Sequence, residues 1–174
     1  MLIRLEEPSV RRAEAFVAAV QRSRSLHRRL VTPPRTPGAF REYVARCRRP
    51  SHIGRLVCLP DGDLVGVVNV SEIVRGAFRS GYLGYYAFAP HGGRGYMTEA
   101  LDLLIAQSFR THRLHRLEAN IQPGNARSIA LVQRLGFRLE GFSPRYLKIA
   151  GRWRDHERWA LTIEDWQRRK RDAG

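Results

Sequence analysis

The chain has 174 residues, a formal net charge of +15, 43% hydrophobic and 27% charged residues, and two cysteines. That length buries a core without metal or disulfide staples, and the composition excludes a disordered chain or a disulfide-built scaffold. No apolar run approaches the ~20 residues of a membrane span, and the charged start MLIRLEEPSV does not read as a signal peptide.

These features predict a cytoplasmic protein without membrane contact, folded as one domain over residues 1–174, monomeric or homodimeric. Cys47 and Cys58 sit in no CxxC or Cys/His pattern, so no metal site is expected. The positive charge favours polyanions: nucleic acid, the ribosome or a phosphorylated cofactor. The basic residues are dispersed, from Arg11, Arg12, Arg22, Arg24, Arg28 and Arg29 to WQRRKR near the end. Solvated helix faces therefore account for the charge as well as a ribosome or RNA contact does.

In chain order, MLIRL reads as a short strand. Ser9 is a candidate N-cap for a helix through Leu30, with Val10, Ala13, Val17 and Val20 at helical spacing. TPPRTPG breaks it, and Phe40–Arg48 reads as a second helix. HIGRLVCL, a PDGD turn and LVGVVNVSEIV form a hairpin, followed by an aromatic-rich strand, YLGYYAFA. A helix then runs from a glycine segment to about His112, with Met97, Leu101, Leu104 and Ile105 on one face. LHRLEANIQ reads as a strand, NARSIALVQRL as a helix capped by Asn125, and GFRLEGF as a helix stop and a new strand. YLKIAGRWRDHERWALTI forms a last hairpin turning at Ala150-Gly151. This order predicts an α/β (α+β) fold, a mixed central sheet with helices on both faces.

The glycine segment, APHGGRGYMTEAL, places Gly92, Gly93 and Gly95 directly before a helix. Such a turn offers unpaired N–H groups at the positive end of the helix dipole, where phosphate oxygens fit. The amides from Gly93 to Tyr96 could hold a pyrophosphate, with Arg94 adding charge. The Walker pattern is excluded because GYM stands where GK[ST] is required. GRGYMT also lacks the third glycine of the dinucleotide fingerprint. A glycine C-cap or a loop without a ligand is the alternative to the phosphate reading.

Three segments narrow the choice: PHGGRGYMTEAL, ANIQPGNARSIALVQRLGF, and the tail RLEGF…YLKIAGRWRDHERWALT. From about Gly66 to Trp166 the chain resembles the GNAT-superfamily acetyltransferases, and within them the ribosomal-protein-alanine N-acetyltransferases. The resemblance implies acetyl-coenzyme A as co-substrate and a central sheet whose YLGYYAFAP and LEANIQ strands splay to admit the pantetheine arm. It places the pantetheine amides on the backbone near Phe88, the pyrophosphate on Gly92 to Tyr96, and Asn125 against pantetheine. Pro90 stands where relatives often carry Gln or Arg.

Acetyl transfer to an amine needs a neutral nucleophile, a stabilised oxyanion and a proton for the departing thiolate. Many GNAT enzymes take that proton from a tyrosine at the position of Val132; the ribosomal branch implies Ser128 instead. A carboxylate common in the superfamily is replaced by Asn120, leaving Glu118, two residues away on the same strand face, as the best acid. Glu118 also reads as a surface ion-pair partner of Arg116, and Ser128 as a helix-cap residue. An α-amine of pKa about 8 costs about 1.4 kcal/mol to deprotonate at pH 7, against roughly 4.6 for lysine, so a weak base suffices for a protein N-terminus. A water held by Asn120 and Glu118 would serve. His112, His115 and His156 have no triad or ligand spacing, and Trp153 and Trp159 read as packing.

The expected acceptor is the N-terminus of a ribosomal or other protein. The alternatives are a small amine, aminoglycoside or polyamine, which so basic a protein repels at long range, and a non-enzymatic RNA- or ribosome-binding protein on a GNAT scaffold.

Overall fold

The computed structural model describes residues 2–172. Seven strands form one sheet in the order β1-β2-β3-β4-β5-β7-β6. β1 (Arg4–Glu6), β2 (Ile53–Cys58), β3 (Leu64–Val74) and β4 (Ser80–Ala87) pair in succession, each antiparallel to the one before. β5 (Arg116–Ile121) pairs with β7 (Arg152–Thr162), and β7 with β6 (Arg138–Ile149), also antiparallel. Among the described residues the only parallel pair is β4–β5, because α4 (Tyr96–Arg110) crosses over between them.

Alternation along the strands builds two cores. Leu117, Ala119 and Ile121 of β5 join Val68, Val70 and Leu83 under α4, where Leu101, Leu104 and Ile105 are fully buried, with Leu131 and Val132 of α5 (Ala126–Arg134). The opposite core holds Phe16 of α1 (Ala13–Arg22) and Phe40, Tyr43 and Val44 of α3 (Pro37–Cys47) against Val67 and Phe88.

The expected long N-terminal helix is broken. Ser9 caps a 3₁₀ turn, Val10–Arg12, by accepting from Arg11 N–H at 3.4 Å, and α1 then stops at Arg22. Ser23 is buried and its hydroxyl donates back to Ala19 C=O at 2.6 Å, competing with helix continuation. A four-residue helix, α2 (Arg24–His27), follows. The buried face is Phe16, Ala19 and Val20 rather than one led by Val10, which is exposed. α3 starts three residues earlier than expected, with Thr36 Oγ1 accepting from Ala39 N–H at 3.1 Å and Pro37 in the first turn. At the other end, β6 runs unbroken into the last hairpin with a register shift between Ser143 and Leu147.

α6 (Ile163–Asp172) carries WQRRKR and was not anticipated as a helix. One apolar anchor, Trp166, holds it against Phe109, and Arg169 and Lys170 pair with Asp102 of α4 at 3.2 and 2.7 Å. A single buried residue gives no periodicity to read. No helix among the described residues is long and apolar enough to cross a membrane.

Phe16 is the keystone of the second core, with ring centroids 4.3 Å from Phe40 and 5.5 Å from Phe88. Phe16→Ala should cost about 3–5 kcal/mol, measured as a lower midpoint in thermal or urea unfolding.

Candidate active site

The site begins where a sheet stops pairing. β4 and β5 are in register only over Ser80–Tyr82 and Arg116–Glu118. Arg116 N–H donates to Arg79 C=O, and Phe88 N–H donates to Val65 C=O at 2.7 Å. Alternation along the two ladders then turns the main-chain groups of Tyr85 and Ala87 on β4, and of Asn120 on β5, toward the opening. Phe88 itself is spent: besides its N–H, its carbonyl accepts from His91 N–H at 3.0 Å. The N–H nearest to it that faces the gap belongs to Ala87.

The chain after β4 is clamped and then released. Ala89 N–H donates to Ser23 Oγ at 2.9 Å, Arg22 Nε donates to Ala89 C=O at 2.8 Å, and buried His91 bonds Asp63 at 2.8 Å. From Gly92 the loop is free. Among the described residues, no protein acceptor takes the N–H groups of Gly92, Gly93, Arg94, Gly95 or Tyr96. Gly93 and Gly95 have φ of +80° and +81°, which side chains resist, whereas Gly92 has no such φ and a Cβ there would meet open space. Gly95 is the N-cap of α4 without a side-chain cap bond, and Arg94 is exposed beside it. These properties suit an anion: N–H groups without a protein acceptor at a helix start, on exposed backbone.

At the next helix start, Asn125 Oδ1 accepts from Ser128 N–H at 3.3 Å, which leaves the Asn125 amide nitrogen free to donate. Ser128 is thus a cap residue by its backbone, but its hydroxyl does something else. Ser128 Oγ lies 2.6 Å from the hydroxyl of Tyr85. Tyr85 is partly buried against the α4 core, and burial pushes its pKa up to about 12, the Ser128 bond working against that rise. The phenol is therefore neutral at pH 7 and a weaker acid than a free tyrosine. Sequence reasoning missed Tyr85, because a tyrosine in an aromatic strand looks like packing. Val132, where a tyrosine was sought, is fully buried.

Glu118 and Asn120 lie on the opposite sheet face, as their alternation with Leu117, Ala119 and Ile121 requires. Glu118 Oε1 accepts from Arg116 Nε at 2.8 Å, and Arg116 also pairs with Glu140. The ion-pair reading of Glu118 is thus realised for one oxygen, and Oε2 has no bond among the described residues. Among the described residues, Asn120 Oδ1 is buried without a partner, as is Nε of its cross-strand neighbour Arg158. Two orphaned groups side by side call for water or a ligand.

The sequence profile of the acetyltransferase (GNAT) domain family matches residues 3–138, which include the clamped turn, the glycine cradle, Asn125 and Ser128. The chain belongs to this family. Among its GNAT relatives, the Escherichia coli ribosomal protein uS5-alanine N-acetyltransferase is 47% identical over 104 residues, covering 60% of this chain and 54% of that protein. The chain thus spans about half the length of that curated relative. The probable N-acetyltransferase YjcK of Bacillus subtilis is 35% identical over 71% of this chain and 69% of its own length. The solved structure of Mycobacterium smegmatis RimJ in complex with CoA-disulfide superposes with a TM-score of 0.87 at 26% identity, covering 98% of this chain and 89% of that one.

The clamp on Ala89 depends on a hydroxyl that also breaks a helix. Ser23→Ala should leave the part-buried Ala89 N–H unpaired and cost about 1–3 kcal/mol. The expected signature is faster hydrogen exchange at the Ala89 amide, together with a lower unfolding midpoint.

Proposed function

We propose that this chain is an acetyl-coenzyme A-dependent N-acetyltransferase acting on the α-amine of a protein N-terminus, a ribosomal protein being the class that the relatives favour. The observation that carries the reading is the set of unspent amides from Gly92 to Tyr96. The donors fit a diphosphate, so Gly92, Gly93, Arg94, Gly95 and Tyr96 would hold that part of the co-substrate, with Ala87 beside Phe88 and Asn125 for the pantetheine amides. Bound acetyl-coenzyme A supplies the activated acyl group.

The residues divide the remaining work. The gap-facing N–H of Tyr85 is placed to stabilise an oxyanion. Ser128 donates a proton to the leaving thiolate and takes one in turn from the Tyr85 hydroxyl beside it. On the other face, Asn120 Oδ1 orients the amine. Glu118, through its unpaired oxygen and a bridging water, passes to solvent first the ammonium proton and then the second proton that nitrogen loses as the amide forms. An α-amine needs about 1.4 kcal/mol for deprotonation at pH 7, within reach of so modest a base.

Two measurements test this. Acetyl-coenzyme A at about 100 times its Kd should stabilise the fold by about 2.7 kcal/mol, a rise in melting temperature of roughly 5–11 °C for a chain of this size. Gly92→Glu, at a position that tolerates a side chain, should abolish that rise; an unchanged rise would remove the cradle from the account. Tyr85→Phe and Ser128→Ala should each lower kcat about 100-fold with little change in KM, and the double variant should be no worse than the slower single one. Additive losses would separate the two hydroxyls.

A further inference from the structure

A cavity of about 470 Å³ lies on the Glu118–Asn120 side of the sheet, between the α2–α3 connection and the β6–β7 turn. Its walls carry Arg28, Arg29 and Arg35 from the connection, Arg152 and Arg154 from the hairpin, and His27. Among the described residues, no acidic side chain lines it. Among the described residues, none of these five arginines forms an ion pair, in contrast to Arg12, Arg116 and Arg169, which are all neutralised by neighbours. Arg154 Nε and His27 Nδ1 are buried without hydrogen-bond partners. Gathering unpaired cations in one concavity is unfavourable unless an anion comes to meet them.

The cavity is joined to the reaction centre. His27 Nε2 bonds Ala87 C=O at 2.8 Å, on the open edge of β4. Gln122, just past β5, donates to Arg29 C=O at 2.7 Å. The connection therefore bridges the two splayed strands. On β7, Arg152, Arg154, His156 and Arg158 alternate onto one face, and Arg158 is the cross-strand neighbour of Asn120. A polar file runs from the cleft to the place where the amine must sit.

Resting on the N-acetyltransferase reading above, we infer that the acceptor is an acidic peptide: the residues that follow its free α-amine carry carboxylates, which seat on Arg28, Arg29, Arg35, Arg152 and Arg154. The amine is thereby delivered to Asn120. Planar guanidinium groups suit carboxylates through paired N–H donors. The same charge rejects polyamines and aminoglycosides, which are polycations. A single-stranded nucleic acid would also be attracted, but the cleft has no aromatic wall for base stacking beyond the buried His27.

The test is equilibrium binding, which does not require turnover. C-terminally labelled peptides with a free N-terminal alanine, followed by three acidic, three glutamine or three lysine residues, are titrated with the intact chain and followed by fluorescence anisotropy. The acidic peptide should bind about tenfold tighter than the glutamine peptide, with the lysine peptide weakest, and the preference should shrink as salt rises. The exposed-site double variant Arg35→Glu/Arg152→Glu should erase the preference while keeping the melting shift with acetyl-coenzyme A. Equal binding of the three peptides would overturn the inference. So would an acidic preference untouched by the double variant, or a short RNA oligonucleotide binding more tightly than the acidic peptide through the same arginines. Acidic peptides that bind here in a chain that transfers no acetyl group would overturn the enzymatic reading and leave the cleft assignment standing.

Discussion

The parting of β4 and β5 is the constraint from which the rest follows. Two adjacent parallel strands that stop pairing in mid-sheet leave main-chain donors and acceptors uncovered, a cost that a stable fold must meet elsewhere. Here part of it is met by protein: His27 takes the Ala87 carbonyl, and Gln122 ties the far strand to Arg29. Ser23 and Arg22 satisfy both backbone groups of Ala89. What stays open is a short list of groups in the gap and the run of amides after His91. The aromatic cluster of Phe16, Phe40, Tyr43 and Phe88 makes this possible, since it fixes the helical layer that reaches across to hold the turn.

Much of this was legible in the residues. Strand alternation and turn chemistry placed β2 to β5 and the hairpins, and the Asn125 cap and the glycine turn followed from local hydrogen-bonding rules. Local signals failed where a side chain answers to a distant partner. Ser23 looked like an ordinary helix residue because its role is set by Ala89, far along the chain. α6 has one buried side chain and otherwise charged faces, so no apolar period marks it. The candidate site divides the same way. Gly92 to Tyr96, Asn125 and Ser128 stood out by motif, whereas Tyr85 and the cleft arginines become visible only when the strands and loops are brought together.

The arginines show why bulk charge was ambiguous. A net +15 reads as solvated helix faces or as affinity for polyanions. The structure sorts the residues: some are locked in ion pairs with Glu6, Asp102, Glu118 and Glu140, and others converge unpaired on one concavity. It is the second group, not the total, that bears on a partner.

Tyr85 and Ser128 stand on one side of the sheet, while Glu118 and Asn120 stand on the other. In the proposed reaction the sheet is therefore a partition. Each turnover would draw a proton from the Tyr85–Ser128 side and release protons on the Glu118–Asn120 side, so the two faces would exchange protons with solvent independently.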